Sequence, residues 1–400
     1  MNRHAPGTAR ALAAIASLVF ALLVAPAHAG DATAARDQDA APAPAKGPSP
    51  TSLARTRARN VVLVMIDGLR WQEVFTGADE AYMNKESGKV EKPEPLREKW
   101  IRPTPEERRE LLMPFLWGTI AKQGQVFGNQ DKGSTVRITN GIGVSYPGYA
   151  ETLCGIADPI IKDNRHIVNP NQTVLEWINK QPGFESRVAA FGSWDTFRFI
   201  FRADACGFPV DDGTGPFTKG TLTPEIELVN RVRQEIPYRW GSVAFDAMLF
   251  NVALPWIKAN KPRAVFVGLG ETDEWAHEYD YAGYLRAAHL ADGYLKTLWE
   301  TLQSMDEYRG CTTIIVNPDH GRGDLRTSAR DWGDHGASHP GSENIWMAVM
   351  GPDTQALGER TNVEPVTQNQ IAATYAAFLG LDFGAAEPRA GKAIPAVLPR

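Results

Sequence analysis

Three cysteines in 400 residues permit at most one disulfide, so the chain is no disulfide scaffold. No Cys-x-x-Cys spacing offers a thiolate zinc site. Charge of one sign is scarce too. The 42 Lys+Arg against 47 Asp+Glu leave a net charge of −5, which removes any polybasic reason to bind nucleic acid or anionic lipid. Beyond the N-terminal region no segment approaches the ~18 uninterrupted apolar residues of a membrane span, and no repeat recurs at periods of about 20–50 residues. What is present is an ordinary globular composition, 43% hydrophobic and 22% charged, far from that of a disordered chain.

Two N-terminal segments stand apart from the fold. Arg3, His4 and Arg10 precede an apolar run from Ala11 to Pro26, and Ala27-His28-Ala29 has the small-x-small form of a cleavage site. Residues 1–29 therefore read as a signal peptide, which implies a periplasmic or secreted protein. Residues 30–60, with the run AAPAPAKGPSP from Ala40 to Pro50, have no hydrophobic period and read as a flexible tether. The folded region is expected to be one domain over residues 61–400.

That region opens with Val61-Val62-Leu63-Val64-Met65-Ile66, the continuous apolar run of a strand buried on both faces of a largely parallel sheet. Similar runs span 187–191, 264–269, 312–316 and 345–350, and helical patterns cover 173–180, 242–258 and 281–305. Strands alternating with helices predict an α/β layered fold. Residues 75–112 are charged, Pro-punctuated and free of strand pattern, and read as an insertion outside the sheet that overhangs the site. Trp117, Trp177 and Trp299 sit at helical spacing and are assigned to the core.

Ligands in open α/β sheets bind beyond the carboxyl ends of the strands, and the acids cluster there. The first strand ends in Asp67. The 264–269 strand leads to Asp273, with His277 four residues on, where a helix puts both on one face. The 312–316 strand leads to Asp319-His320-Gly321. A Gly-rich loop before residue 345 carries His335 and His339. Carboxylate oxygen and imidazole nitrogen together suit Zn²⁺, Mn²⁺ or Fe. Ser145 follows the Gly-rich approach Asn140-Gly141-Ile142-Gly143-Val144 and opens a helical pattern, so it is either a cap or a hydroxyl facing an anion site.

The ordered set of strand-end Asp67, Ser145 at a helix start, Asp273-x-x-x-His277, Asp319-His320-Gly321 and a late loop His resembles the alkaline phosphatase superfamily, within it the nucleotide pyrophosphatase/phosphodiesterase branch and its bacterial relatives. The resemblance spans residues 61–380. It implies a three-layer α/β/α sandwich with a mostly parallel central sheet and cap-type insertions. It also implies two divalent metals, most simply zinc, and a phosphoseryl intermediate on small phosphate ester substrates, either diesters or monoesters. By that likeness Asp67, Asp319, His320 and Ser145 hold one metal. Asp273, His277 and a late His hold the other, His335 fitting the His-Gly form better than His339. Non-bridging oxygens would be met by the backbone near Tyr146 and by the Asn140 side chain.

Departures narrow the activity. Formylglycine sulfatases need Arg where this chain has Tyr149, so an unmodified Ser145 is expected. The phosphodiesterase branch usually has Thr at the nucleophile and Asn where Gly148 stands. A monoesterase would want Arg165, Arg198 or Arg202 as a phosphate clamp, although salt bridging is their ordinary role. Tyr149, Glu151 and the segments Gly192-Ser193-Trp194-Asp195 and Tyr238-Arg239-Trp240 are candidate pocket residues. The alternatives are a sulfate- or phosphonate-ester hydrolase on the same site and a non-catalytic envelope-binding protein on the same scaffold.

Overall fold

In the computed structural model, which describes residues 56–324 and 328–399, the apolar runs stack side by side. The expected signal peptide and most of the tether lie outside these residues. Eleven strands occur among them: β1 (Asn60–Ile66), β2 (Gln125–Phe127), β3 (Val136–Arg137), β4 (Val188–Gly192), β5 (Val210–Asp211), β6 (Ala264–Leu269), β7 (Thr312–Asn317), β8 (Asn344–Ile345), β9 (Met347–Met350), β10 (Gly358–Glu359) and β11 (Val366–Thr367). Eight form the central sheet in the order β10-β2-β9-β7-β1-β6-β4-β5, and β11-β3-β8 form a small second sheet. β1 is central, pairing in parallel with β6 (Val61↔Ala264) and β7 (Val61↔Thr313).

Every residue of β1, β6 and β7 is buried, as a strand covered on both faces requires. Alternation divides them between two cores. Val62, Val64 and Ile66 join one and Val61, Leu63 and Met65 the other, so helices cover both sides in a three-layer α/β/α sandwich.

The run 345–350 departs from the parallel expectation. Asn344–Ile345 pairs with β3, while Met347–Met350 crosses into the central sheet antiparallel to β7. Between them Trp346 is buried and donates to the Leu69 carbonyl (2.9 Å), pinning the switch. The 242–258 helix begins at Asp246 instead, because Ser242 and Ala244 bond to Asp195 and Ser193 beyond β4. The chain also enters the core before residue 61: the Ala58 and Arg57 N–H groups donate to the Asp353 carboxylate. Trp117 is buried, and Trp177 and Trp299 pack half-buried against the cores. All three cysteines are free and buried. Among the described residues no helix is long and apolar enough to cross a membrane.

The insertion folds into short helices, Pro93–Trp100 and Pro105–Leu112 among them, the second started by a Thr104–Glu107 capping box. It packs Trp100 and Leu112 into one core. It reaches the loop bearing His335: the Trp332 indole donates to the Ser87 carbonyl (2.9 Å). Trp332 also packs against Tyr281 and Tyr284. Replacing Trp332 by Phe keeps an aromatic ring but removes the indole N–H that meets the Ser87 carbonyl and leaves a gap in the core. The expected cost is about 1–3 kcal/mol in thermal or urea unfolding, with turnover reduced if the His335 loop shifts.

Candidate metal centre

The strand ends bring distant residues together. Asp67 follows β1 directly, and the next residue, Gly68, turns at φ +59°. A Cβ there would lie 2.6 Å from the Arg322 guanidinium and 2.7 Å from the Asp273 carboxylate, so only glycine closes this turn. The Gly68 N–H donates to Asp319 Oδ1 (3.0 Å), joining the ends of β1 and β7. Asp273 and His277 lie on the helix Glu271–His277, where Asp273 Oδ2 is 3.0 Å from His277 Nε2. That helix is fixed by a reciprocal cap. Asp246 accepts from the Gly270 and Glu271 N–H groups, and Glu271 Oε1 accepts from the Asp246 N–H (2.9 Å).

Ser145 is the first residue of the helix Ser145–Cys154, behind an extended Val144 at the N-cap. It is therefore not the cap. Its Oγ lies 3.3 Å from His320 Nε2. The same nitrogen is 3.3 Å from Asp319 Oδ2, 3.5 Å from Asp67 Oδ1 and 3.8 Å from Asp273 Oδ1.

Two features of this cluster fit a bound cation. First, Asp67 Oδ1 and Asp319 Oδ2 are buried without a hydrogen-bond partner, which is costly for an anionic oxygen unless a cation meets it. Burial, with Asp319 and Asp273 nearby, raises the Asp67 carboxyl well above its usual range, although the Tyr149 hydroxyl donates to its Oδ2 (3.0 Å). Burial and Asp273 push Asp319 up to about 7. Second, the imidazoles are held with Nε2 facing inward. His320 Nδ1 meets the Gly321 carbonyl (2.8 Å) and His335 Nδ1 the Gly143 carbonyl (2.8 Å). A carbonyl only accepts, so each Nδ1 carries the proton and each Nε2 presents a lone pair. Burial holds His320 well below the usual histidine range and His335 at about 4, so both are neutral, as metal ligands must be. His335 Nε2 faces His277 Nε2 at 3.1 Å. Two groups have donor atoms all within 4.8 Å of one another: Asp67, Asp319 and His320, and Asp273, His320 and His335.

The other residues singled out from the sequence fall elsewhere. His277 belongs to neither group, although its Nε2 lies beside Asp273 and His335; His339 bonds Asp331 (3.0 Å) and belongs to neither. Asn140 is spent within the fold: its amide donates to Glu151 and its oxygen accepts from Ile142 and Gly143. The Tyr146 N–H donates to Asn164 Oδ1 (2.9 Å) and its hydroxyl to the Ile167 carbonyl, so neither is left for a substrate oxygen. Glu151 latches the 139–143 loop by accepting from Thr139 and Asn140. Arg165 pairs with Asp163, Arg198 with Asp212 and Arg202 with Glu176. Trp240 packs on Trp275 and donates to Glu278 (2.7 Å), bracing the outer side of the Asp273 helix. Asp195, just beyond β4, pairs with His166.

Three residues gain importance from the structure: Tyr149 on Asp67, the exposed Asn164 beside the Ser145 helix start, and Arg322. Gly148 gains a reason. A Cβ there would overlap the Asp319 carbonyl oxygen, so the asparagine usual in the phosphodiesterase branch has no room. Gly148→Ala is expected to cost about 1–3 kcal/mol by overpacking and to lower activity by moving Ser145 off Asp319; denaturant unfolding and turnover check both.

No family model matches the chain, and no curated protein matches it. Solved structures do match. Wild type alkaline phosphatase PafA is 13% identical with a TM-score of 0.52, over 87% of this chain and 100% of that one. The fold is that of the alkaline phosphatase superfamily. The lipoteichoic acid synthase LtaP from Listeria monocytogenes matches with 13% identity and a TM-score of 0.51, over 84% of this chain and 75% of that one. Ps i-CgsB, solved with k-i-k-neocarrahexaose, matches at 16% identity and the same TM-score of 0.51, over 84% and 75% of the two chains. These likenesses establish the alkaline phosphatase fold. The chemistry rests on the residues of this chain.

Proposed function

We propose that the protein is an exported, metal-dependent phosphoester hydrolase that uses Ser145 as nucleophile at a centre for two divalent cations, most simply zinc. The observation that carries this reading is the convergence of two orphaned carboxylate oxygens and two tautomer-set imidazoles beside the Ser145 hydroxyl. Asp67, Asp319, His320 and Ser145 would hold one cation, and Asp273, His277 and His335 the other. When bound, such a pair stabilises the serine alkoxide and the charge on the leaving oxygen. Ser145 Oγ then bonds phosphorus as the ester oxygen departs, and water cleaves the resulting phosphoserine. Asn164, held by the Tyr146 N–H, keeps its amide N–H groups free to donate to a non-bridging oxygen.

Diesters are the favoured substrates. A dianionic monoester calls for a positive clamp, yet Arg165, Arg198 and Arg202 are committed to ion pairs and Arg322 to Asp273. Sulfate esters are disfavoured because Tyr149, in place of the maturation arginine, is buried on Asp67. Initial rates on aryl phosphate mono- and diesters, phosphonates and sulfates test the assignment: diesters are expected to lead by about 10-fold or more, and a sulfate preference would overturn it. The expected location is periplasmic or secreted, with cell fractionation as its check.

A further inference from the structure

Arg322 directly follows Asp319-His320-Gly321, and the reading above gives it no role beyond its pairing with Asp273. Its side chain is buried beside the second ligand group. Nη1 bonds Asp273 Oδ1, and Nη2 donates to the Gly333 carbonyl (2.7 Å), two residues before His335. The Gly323 N–H donates to the Asp334 carbonyl (2.9 Å), so this arginine ties Asp273 to the loop that presents His335. Gly68 closes over the pair without a side chain.

The two halves of the centre therefore differ in charge. Asp67 and Asp319 are two carboxylates, each with one oxygen bonded to a neutral donor, the Tyr149 hydroxyl or the Gly68 N–H, and the other oxygen bare. In the other half Asp273 is the single carboxylate, and a guanidinium opposes it. Arginine does not deprotonate in proteins, so this positive charge persists at every working pH. The second half is also the more open. The His277 side chain is 43% exposed, whereas those of Asp319 and His320 are fully buried. Divalent-cation affinity follows ligand charge count and rigidity, and a fixed like charge in a buried site is screened little.

We infer that Arg322 is a positioning residue that makes Asp273–His277–His335 a weak, exchangeable cation site beside a tight one at Asp67–Asp319–His320–Ser145. The guanidinium holds Oδ1, the oxygen that lies 3.8 Å from His320 Nε2 and from His335 Nε2, while Oδ2 faces His277 at 3.0 Å, so it draws charge from the one carboxylate this half has. The nucleophile's site stays loaded while the neighbouring one fills and empties with the zinc supply. This inference rests on the two-cation reading of the proposed function.

The test is a titration of the metal-free full chain with Zn²⁺ against a chromophoric chelator. Two equivalents with dissociation constants about 100-fold apart are expected. His277→Ala should abolish the weak step alone, and Asp319→Asn should weaken the tight one by about 100-fold or more. Arg322→Met should tighten the weak step by about 10-fold, whereas Arg322→Lys, which keeps the charge, should leave it within about threefold. If Arg322→Met fails to fold, Arg322→Gln, which also removes the charge but keeps an amide that can donate to the Gly333 carbonyl, takes its place with the same expected tightening. Equal affinities, loss of the tight step in His277→Ala, or a folded Arg322→Met with an unchanged weak step would overturn the inference and leave the hydrolase reading standing. A wild-type chain that binds no zinc would overturn both.

Discussion

Replacing Ser145 by alanine is expected to lower turnover by on the order of 10⁴-fold or more while the metal content stays within about 20% of wild type. The reason lies in how the hydroxyl is held. Ser145 is not the cap of its helix, and its Oγ lies 3.3 Å from His320 Nε2, so alanine removes the nucleophile and one contact to His320 while the helix start is left intact. Three of the four ligands proposed around it, Asp67, Asp319 and His320, come from other segments and keep their supports from Tyr149, Gly68 and Gly321. Turnover together with metal analysis on the same preparation checks the claim. Activity within tenfold of wild type would remove Ser145 from the nucleophile's role.

Asp319→Asn is expected to act in opposite directions on function and stability. Zinc affinity at the Ser145 site should fall by about 100-fold or more, since one of two carboxylates is lost, and turnover should fall with it. The metal-free protein should become more stable at pH 8. Burial and Asp273 raise the Asp319 carboxyl to about 7 in the fold, against about 3.9 in an unfolded chain. A group raised in this way contributes its stability below the unfolded value and loses it as pH rises through the folded one. At pH 8 the wild-type apo protein therefore carries an ionised, crowded carboxylate, and the amide relieves a penalty on the order of 1–4 kcal/mol. Below pH 4 wild type is protonated in both states and the gain should vanish. Thermal unfolding in chelator at pH 8 and at pH 4 measures the difference. A variant less stable than wild type at pH 8 would contradict the charge-crowding reading.

Much of this architecture was legible because its signals are local. A run such as Val61–Ile66 among helical patterns points to a strand covered on both faces, and an acid just past such a run stands at the sheet's carboxyl edge. The spacing of Asp273 and His277 fixes a shared helix face. Less legible were choices made by tertiary partners. Nothing local tells that Asn140 turns to Glu151, or that the Tyr146 N–H turns to Asn164 eighteen residues on. Trp346 splits a continuous apolar run between two sheets through a bond to Leu69, a partner far away in sequence. How the insertion is anchored was not legible either: it meets the His335 loop through Trp332 and the Ser87 carbonyl. Arg322 did carry a signal, a charged residue two positions past a buried His. Only the fold shows that its partner is Asp273.

The most direct test of the central claim is anomalous diffraction at the zinc edge from crystals of the full chain grown with zinc. Two peaks are expected, one among Asp67, Ser145, Asp319 and His320, the other among Asp273, His277 and His335. A single peak at His339 and Asp331, or none near Ser145, would contradict the account.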